Sequence, residues 1–395
     1  MQLVEQHIIK KSNPLYKELD KMCFLSKNLY NQSLYRVRQY YFDNKKYLSY
    51  ANNVNILTRE NQVDYISLPR KVSQWVCKQV DQNFKSFFAS LKSKNINHRV
   101  RIPQYLDKNG RNILTFTNQA ISYKELKNGY LKLSGCKNKI KVLHNNIQQV
   151  RVIPQANRYM IEIIYSIPDV EYKTNTNYVG VDLGLNNLAT VGGNTMSSLI
   201  INGKPLKSIN QFYNKRLSKL KSRQDLCKNK KVNKKKIQTL TNKRNNKIKD
   251  YLHKASRLLV NQLVSNDIST VVIGHNKEWK QDINIGKQNN QKFVQIPFNT
   301  FIHMIVYKAQ MQGIKVIQRE ESYTSKCSFI DNEEICKHEN YKGKRIKRGL
   351  YKSQNGRLIN ADLNGALNIL KKEIPNAFDG YGIEVCSTPV VLTIK

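Results

Sequence analysis

The sequence predicts an α/β chain built from more than one domain. Three observations carry that prediction. An early helix shows a long apolar stripe, a middle region alternates like short antiparallel strands, and the second half mixes buried strands with helices. The 395 residues, at roughly 100–200 per domain, leave room for two to four domains.

Residues 2–9 read as a short strand. From Pro14 to Tyr50 apolar and aromatic residues recur at helical spacing: Leu25, Leu29, Leu34, Val37 and Tyr41. After Pro69, which suits a first helical turn, Val72, Trp75, Val76, Val80, Phe84, Phe87, Phe88 and Leu91 form one i, i+3, i+4 stripe. The stripe reads as packing. The other face holds Arg70, Lys71, Lys78 and Lys85, read as phosphate contacts. Residues 96–170 then alternate over 111–117, 130–133, 139–143, 149–153 and 159–166, with turns at Lys108-Asn109-Gly110 and Lys127-Asn128-Gly129. This predicts a small antiparallel β domain. The polar stretch 171–177 reads as a linker.

From Tyr178 the pattern changes. Buried strands are predicted at 178–183, 188–191 and 198–201, then a long basic helical stretch at 205–266. A strand at 270–274, a helix at 297–312, a strand at 315–319 and a closing helix at 361–372 follow. Residues 325–360 are polar and basic without a period.

Charge narrows the function. Against 67 Lys+Arg stand 28 Asp+Glu, a net charge of +39, which calls for a polyanionic partner, nucleic acid by default. Hydrophobic residues make up 40%, enough to build cores, so a disordered basic tail is excluded. No apolar run approaches the roughly 18 residues of a membrane span. The start of the chain lacks a signal-peptide layout, and seven scattered cysteines read as free thiols of a reducing cytoplasm.

Three strands, a helical stretch, a strand, a helix, a strand and a last helix is the element order of an RNase H-like domain. In YVGVDLGLNNLATV, Asp182 ends the first central strand, with Gly184 free to turn. In NADLNGALNIL, Asp362 stands in the first turn of the last helix. Carboxylates suit Mg²⁺, which takes oxygen ligands, and two ions about 4 Å apart serve phosphodiester hydrolysis. A lone strand-end Asp is ordinarily turn chemistry; two in this order, in so basic a chain, point to metal.

The stretches NFKSFFASLK with RIPQY, GVDLGLNNLATV, IKDYLHKASR, VVIGHNKEWKQ, ESYTSKCS and NADLNGALNIL together resemble the TnpB (OrfB) family of transposon-encoded RNA-guided nucleases, relatives of type V CRISPR effectors and Fanzor proteins. The resemblance implies a helical recognition lobe at 13–95 and a β-barrel wedge domain at 1–12 and 96–172. It also implies a RuvC-type nuclease at 176–324 and 358–395, with a target-nucleic-acid-binding insert at 325–357. It implies Mg²⁺, replaceable by Mn²⁺, as cofactor, and a guide RNA and target double-stranded DNA as partners, in a bacterial or archaeal cytoplasm.

Two departures matter. Where the family places its catalytic glutamate, at the end of the fourth strand, this chain has Gly274. The neighbouring strand ends in Glu320 and Glu321, and strands lie about 4.8 Å apart. Successive residues point to opposite faces, so one of the two can reach the vacated position. Glu321 is preferred, Glu320 stays open, and Glu278 is a third candidate. The second departure is zinc. Cys327 lacks its CxxC partner, so Cys327, Cys336 and His338 supply at most three ligands of a degenerate ribbon.

Basic groups beside the nuclease are read as a wall for a guide–target duplex: the 228–236 lysine clusters, Arg244, Lys247, His253 and Lys254, and in the insert Lys344, Arg345, Lys347 and Arg348. Tyr351 is read as a base-stacking ring. The expected function is an RNA-guided, Mg²⁺-dependent DNA endonuclease acting through Asp182, Glu321 and Asp362. Its rivals are a nuclease-inactive guided binder, a strand-joining transposase and a basic RNA-binding protein.

Overall fold

The computed structural model describes residues 1–93, 99–226, 232–276 and 286–394. It divides into two compact units, 1–168 and 169–395.

The first unit contains β1 (Gln2–Lys10), α1 (Leu15–Asn44), α2 (Tyr50–Arg59), α3 (Val63–Ile66), α4 (Arg70–Lys92), β2 (Leu114–Thr117), α5 (Tyr123–Lys127), β3 (Tyr130–Leu131), β4 (Ile140–Lys141), β5 (Ile147–Gln155) and β6 (Arg158–Ser166). The principal sheet is antiparallel, in the order β1-β6-β5-β2, and β3 pairs only with β4. Among the described residues no closed barrel forms: β1 and β2 are open edges. The helices and the sheet, assigned to two domains on sequence, share one core. Leu19, Leu34, Val76 and Phe84 pack in the same cluster as Phe116, Val152 and Ile161. Each such buried side chain contributes about 1.5–3 kcal/mol. The α4 stripe faces this core through Val72, Val76, Val80 and Phe84, but Leu91 at its far end is 55% exposed.

The second unit contains β7 (Tyr178–Leu183), β8 (Asn187–Gly193), β9 (Leu199–Asn202), α6 (Lys204–Leu226), α7 (Val232–Ser265), β10 (Thr270–Gly274), α8 (Lys287–Val294), α9 (Phe298–Gln310), β11 (Lys315–Arg319), β12 (Lys344–Lys347), β13 (Leu350–Lys352), β14 (Leu358–Asn360), α10 (Ala361–Glu373) and β15 (Val390–Leu392). Its six-stranded sheet runs β11-β10-β7-β8-β9-β15. β7, β8 and β9 form an antiparallel meander, while β10 and β11 run parallel to β7. That is the RNase H-like arrangement. β15, unanticipated by the sequence reading, adds to β9 in parallel.

α7 and α9 cover one core through Leu252, Leu259, Phe301 and Ile305. α10 lies close on β7 and β8. A Cβ at Gly180 would come within 2.0 Å of the Ala366 carbonyl oxygen, so only glycine admits the helix there. The stretch 325–360, aperiodic in sequence, folds into a three-stranded sheet in the order β12-β13-β14. The expected linker is not free: Lys173 N–H donates to the Gly313 carbonyl at 2.8 Å, and the Asn175 amide donates to Asp267. Among the described residues no helix is long and apolar enough to cross a membrane.

Candidate active site

Sheet register gathers the site. Val181 pairs with Ile273, and Gly274 pairs with Arg319, so β7, β10 and β11 end at one edge. Asp182 is the penultimate residue of β7. Burial holds its carboxyl well above the ordinary range, and the negative charges of Glu321 and Asp362 push it the same way, with Arg345 opposing. Two carboxylates that crowd a third favour its proton.

Asp362 is placed by a helix cap. The Asn360 side chain accepts from Asp362 N–H at 3.0 Å and Leu363 N–H at 3.1 Å, which starts α10 there. The Asn187 amide donates to Asp362 Oδ2 at 2.7 Å. Arg345, on β12 of the insert, pairs with Oδ1 at 3.5 Å.

Glu320 and Glu321 part company. Exposed Glu320 accepts from Lys372 Nζ at 2.8 Å and from Ser322 N–H at 2.9 Å, and the Lys372 bond holds its carboxyl below the ordinary range. Glu321 is half-buried beside β10. A Cβ built on Gly274 would stand 2.7 Å from Glu321 Oε2 and 2.5 Å from Ile369 Cδ1. The Glu321 carboxylate therefore occupies space that any side chain at 274 would take. Asn276, two residues on, clamps it: Glu321 N–H donates to Asn276 Oδ1 at 3.0 Å, and the Asn276 amide donates back to Oε1 at 3.3 Å. Burial raises the Glu321 pKa to about 7, assisted by the charge of Glu320. Glu278 lies outside the described residues.

Among the described residues no three His, Cys, Asp or Glu side chains form a ready-made metal cage. The donor chemistry nonetheless suits a hard cation. Asp182 and Glu321 are oxygen donors whose pKa values burial raises, with Glu321 and Asp362 adding to the rise at Asp182 and Glu320 adding to it at Glu321, and Mg²⁺ needs only one or two protein carboxylates, the rest being water.

The insert is organised differently. The Cys327 thiol is buried and donates to the Cys336 carbonyl at 3.6 Å, and Cys336 Sγ lies 3.4 Å from His338 Nε2. The nearby acid is engaged elsewhere. Glu333, 2% exposed, accepts from Ser328 N–H at 2.7 Å and Lys342 N–H at 2.9 Å. α10 anchors the same turn, because the Asn364 and Asn368 amides donate to the Cys327 carbonyl at 2.9 and 2.8 Å.

Two sequence readings of nucleic-acid contacts are corrected. Tyr351 is 1% exposed in the insert core, its hydroxyl donating to the Lys326 carbonyl at 2.7 Å, so it has no face for a base. The Arg244 guanidinium is committed to the Asn210 side chain and the Gln295 carbonyl, both at 2.8 Å. It ties α7 to α6 and to the end of α8. His253 is half-buried, with its pKa lowered by burial and by Lys308. Exposed positions are Arg70, Lys71, Lys78, Lys85, Lys247, Lys254, Lys344, Arg345, Lys347 and Arg348. Of these, Lys85 pairs with Asp81 at 2.8 Å and Lys254 with Asp250 at 3.2 Å. Lys235 and Lys236 are also exposed, while 228, 230 and 231 lie outside the described residues.

Sequence reasoning missed Asn187, Asn276 and Lys207. Lys207 donates to the Asn186 side chain at 2.6 Å, in the loop after Asp182. Burial lowers its pKa, as do the charges of Lys292, Arg348 and Lys204. The duplicated Asn in GLNN and the Asn closing GHN were the available signals.

A meander with two parallel strands added, carrying carboxylates at the shared strand ends, defines an RNase H-like protein with a carboxylate centre. The OrfB_IS605 family model, a probable transposase, matches residues 162–280, and the Cas12f1-like TNB domain model matches 298–369. A TnpB-like protein of Acidianus two-tailed virus, ORF457, is 29% identical over 202 residues, 49% of this chain and 41% of the viral protein. A CRISPR-associated endodeoxyribonuclease of a Micrarchaeota archaeon, Cas12f2, is 27% identical over 252 residues, 59% of this chain and 44% of that protein. The chain thus matches less than half the length of these relatives. A solved Cas12f1–sgRNA–target DNA complex aligns with a TM-score of 0.38 at 18% identity, over 94% of this chain and 100% of that one. The family models and the curated relatives that match are thus TnpB-like and Cas12f-like proteins, each over part of the chain.

Proposed function

We propose that the chain is an RNA-guided DNA endonuclease of a transposable element, with Asp182, Glu321 and Asp362 as its catalytic carboxylates. The observation that carries this reading is the fit of the Glu321 carboxylate into the space left by Gly274. An ordinary strand-end charge would face water, as Glu320 does. This one is drawn into a half-buried position, at a cost visible in its raised pKa, and a site in decay has no reason to keep it there.

The three carboxylates would hold Mg²⁺, which when bound supplies charge stabilisation to a phosphodiester and an acidified water. The chain's own residues do the rest. Asn276 holds the Glu321 carboxylate through its amide, and Asn187 holds that of Asp362. Arg345, paired with Asp362 at 3.5 Å, would set a positive charge beside the attacked phosphate. Lys207 with its cationic neighbours holds the substrate backbone. No covalent enzyme intermediate is required. By the family relationship, the guide is an RNA from the element's end, and a short motif flanks the DNA target. The first unit, including the wedge part that the family builds as a barrel, would read that motif.

The test is cleavage of a plasmid library by protein co-expressed with its element's flanking RNA, in Mg²⁺, across wild type, Asp182→Ala, Glu320→Ala and Glu321→Ala. Loss of cutting in Asp182→Ala and Glu321→Ala, with Glu320→Ala active, supports the reading. Guide-dependent binding by a wild type that never cuts, in Mg²⁺ or Mn²⁺, would instead identify a nuclease-inactive guided binder.

A further inference from the structure

A cavity of about 780 Å³ lies between α7, α9 and the C-terminal residues 393–394. None of the residues lining it belongs to the carboxylate centre. His253, Lys254, Arg257 and Lys308 border it, and among the described residues no Asp or Glu does. Lys254 has a partner outside the lining, Asp250.

Lys308 is the unusual member. It is 3% exposed, and its ammonium donates to the His253 carbonyl at 2.8 Å and to Ser256 Oγ at 2.6 Å. The Ser256 hydroxyl donates in turn to the Leu252 carbonyl at 2.7 Å. An ammonium has three donors; among the described residues two hydrogen-bond acceptors take two of them, and the Tyr307 ring lies 5.9 Å away. Buried cations are ordinarily matched by an anion, because neutral acceptors do not repay their desolvation. Among the described residues no carboxylate pairs with Lys308, and the nearby Asp250 is paired with Lys254. Burial and the charge of Arg257 lower the Lys308 pKa to about 8, the direction expected of a cation that lacks a counter-ion.

We propose that this cavity is a binding site for a phosphate group, with Lys308 as its buried anchor and Arg257 as its exposed clamp. Phosphate fits better than a carboxylate because several oxygens can accept at once from a guanidinium fork and an ammonium. The volume exceeds that of one phosphate, and Leu258 and Ile394 supply an apolar flank for the sugar or base attached to it. The phosphate comes either from a nucleic-acid strand or from a free phosphoanhydride. A helix strut alone would explain the two bonds of Lys308, but not the convergence of Arg257 and His253 on the same space.

The experiment is calorimetric titration of inorganic pyrophosphate into the full chain, without divalent cations and at fixed ionic strength. Wild type should show saturable one-site binding. Arg257→Ala, an exposed change that spares the strut, and Lys308→Met should each weaken it about tenfold or more, the weight of one charge-assisted hydrogen bond. Lys221→Ala, an exposed lysine on α6 outside the cavity, should leave it unchanged. A 5′-phosphorylated oligothymidylate that displaces pyrophosphate with the same dependence on Arg257 identifies a strand as the source; pyrophosphate binding without displacement identifies a free anion. The proposal is overturned if binding does not saturate, if Arg257→Ala binds like wild type, or if Lys221→Ala weakens binding as much as Arg257→Ala. Because cleavage is not the readout, this failure and failure of the nuclease reading are separable.

Discussion

The strand-edge carboxylates and the cysteine turn of the insert both depart from the family pattern, and they depart in opposite ways. At the strand edge a side chain is missing at 274, and another carboxylate, Glu321, occupies its space with an amide to hold it. In the insert, thiols are missing, and the turn is held without them. The Glu333 carboxylate binds two backbone amides, the Asn364 and Asn368 amides bind a carbonyl, and Tyr351 fills the core. At the first, a carboxylate from the neighbouring strand fills the space beside the glycine. At the second, backbone amides and a carbonyl are held by Glu333, Asn364 and Asn368. The difference teaches that the first region gathers carboxylates into partly buried space, whereas the second is held by neutral hydrogen bonds, one buried carboxylate and packing.

The sharpest way to break this comparison is to remove the charge. Asp182→Ala and Glu321→Ala should each lower guide-dependent plasmid cleavage by about 100-fold or more, as loss of a transition-state contact does, while Glu320→Ala stays within about threefold. Equal losses in Glu320→Ala and Glu321→Ala would mean that the packing at 274 is incidental.

Next in size is the space itself. Gly274→Ala should expel the Glu321 carboxylate, cutting cleavage about tenfold or more and destabilising the fold by about 1–3 kcal/mol, as overpacking does. The double variant Gly274→Glu, Glu321→Ala should recover part of the activity lost in Glu321→Ala, since it returns the carboxylate to β10. No recovery would place the functional carboxylate elsewhere.

On the other side of the comparison, Glu333→Ala leaves two buried amides without an acceptor. It should cost about 1–3 kcal/mol in denaturant unfolding, whereas a chelator should leave the wild-type midpoint where it is. A midpoint that falls with chelator would show that the thiols still hold a metal.

A pH series sharpens the contrast further. Glu321 titrates at about 7 in the folded chain against an ordinary 4.5, so between these values the folded state keeps a proton that the unfolded state releases. This contribution to stability is complete below about 4.5 and is lost as pH rises through 7. Without divalent cations, thermal stability should fall across that window, and Glu321→Gln should flatten the fall. A smaller effect belongs to Asn276→Ala, about fivefold on cleavage through loss of its two hydrogen bonds to Glu321.

Much of the second unit was legible along the chain. The strands at 178–183 and 270–274 and the helix beginning at Ala361 follow from apolar runs, with Asn360 as a cap. Less of the site was legible. Asp182 and Asp362 stand at element ends that periodicity marks, so their convergence follows from element order. Glu320 and Glu321 are adjacent in sequence, and which of them turns inward depends on Lys372 and Asn276, both remote. Arg244 and Tyr351 look like nucleic-acid residues in a basic context, yet each is spent on packing. β12 to β15 are only three or four residues long, too short for a period, and exist because a partner strand receives them.

Composition, periodicity and motif order by themselves determined a basic α/β protein with two carboxylates on one RNase H-like frame, because each depends on residues near in sequence. Tertiary structure alone decided which glutamate fills the space beside Gly274, what holds the insert, and where a buried lysine lacks an anion. These are questions of volume, desolvation and long-range hydrogen bonding, which arise only when distant segments meet.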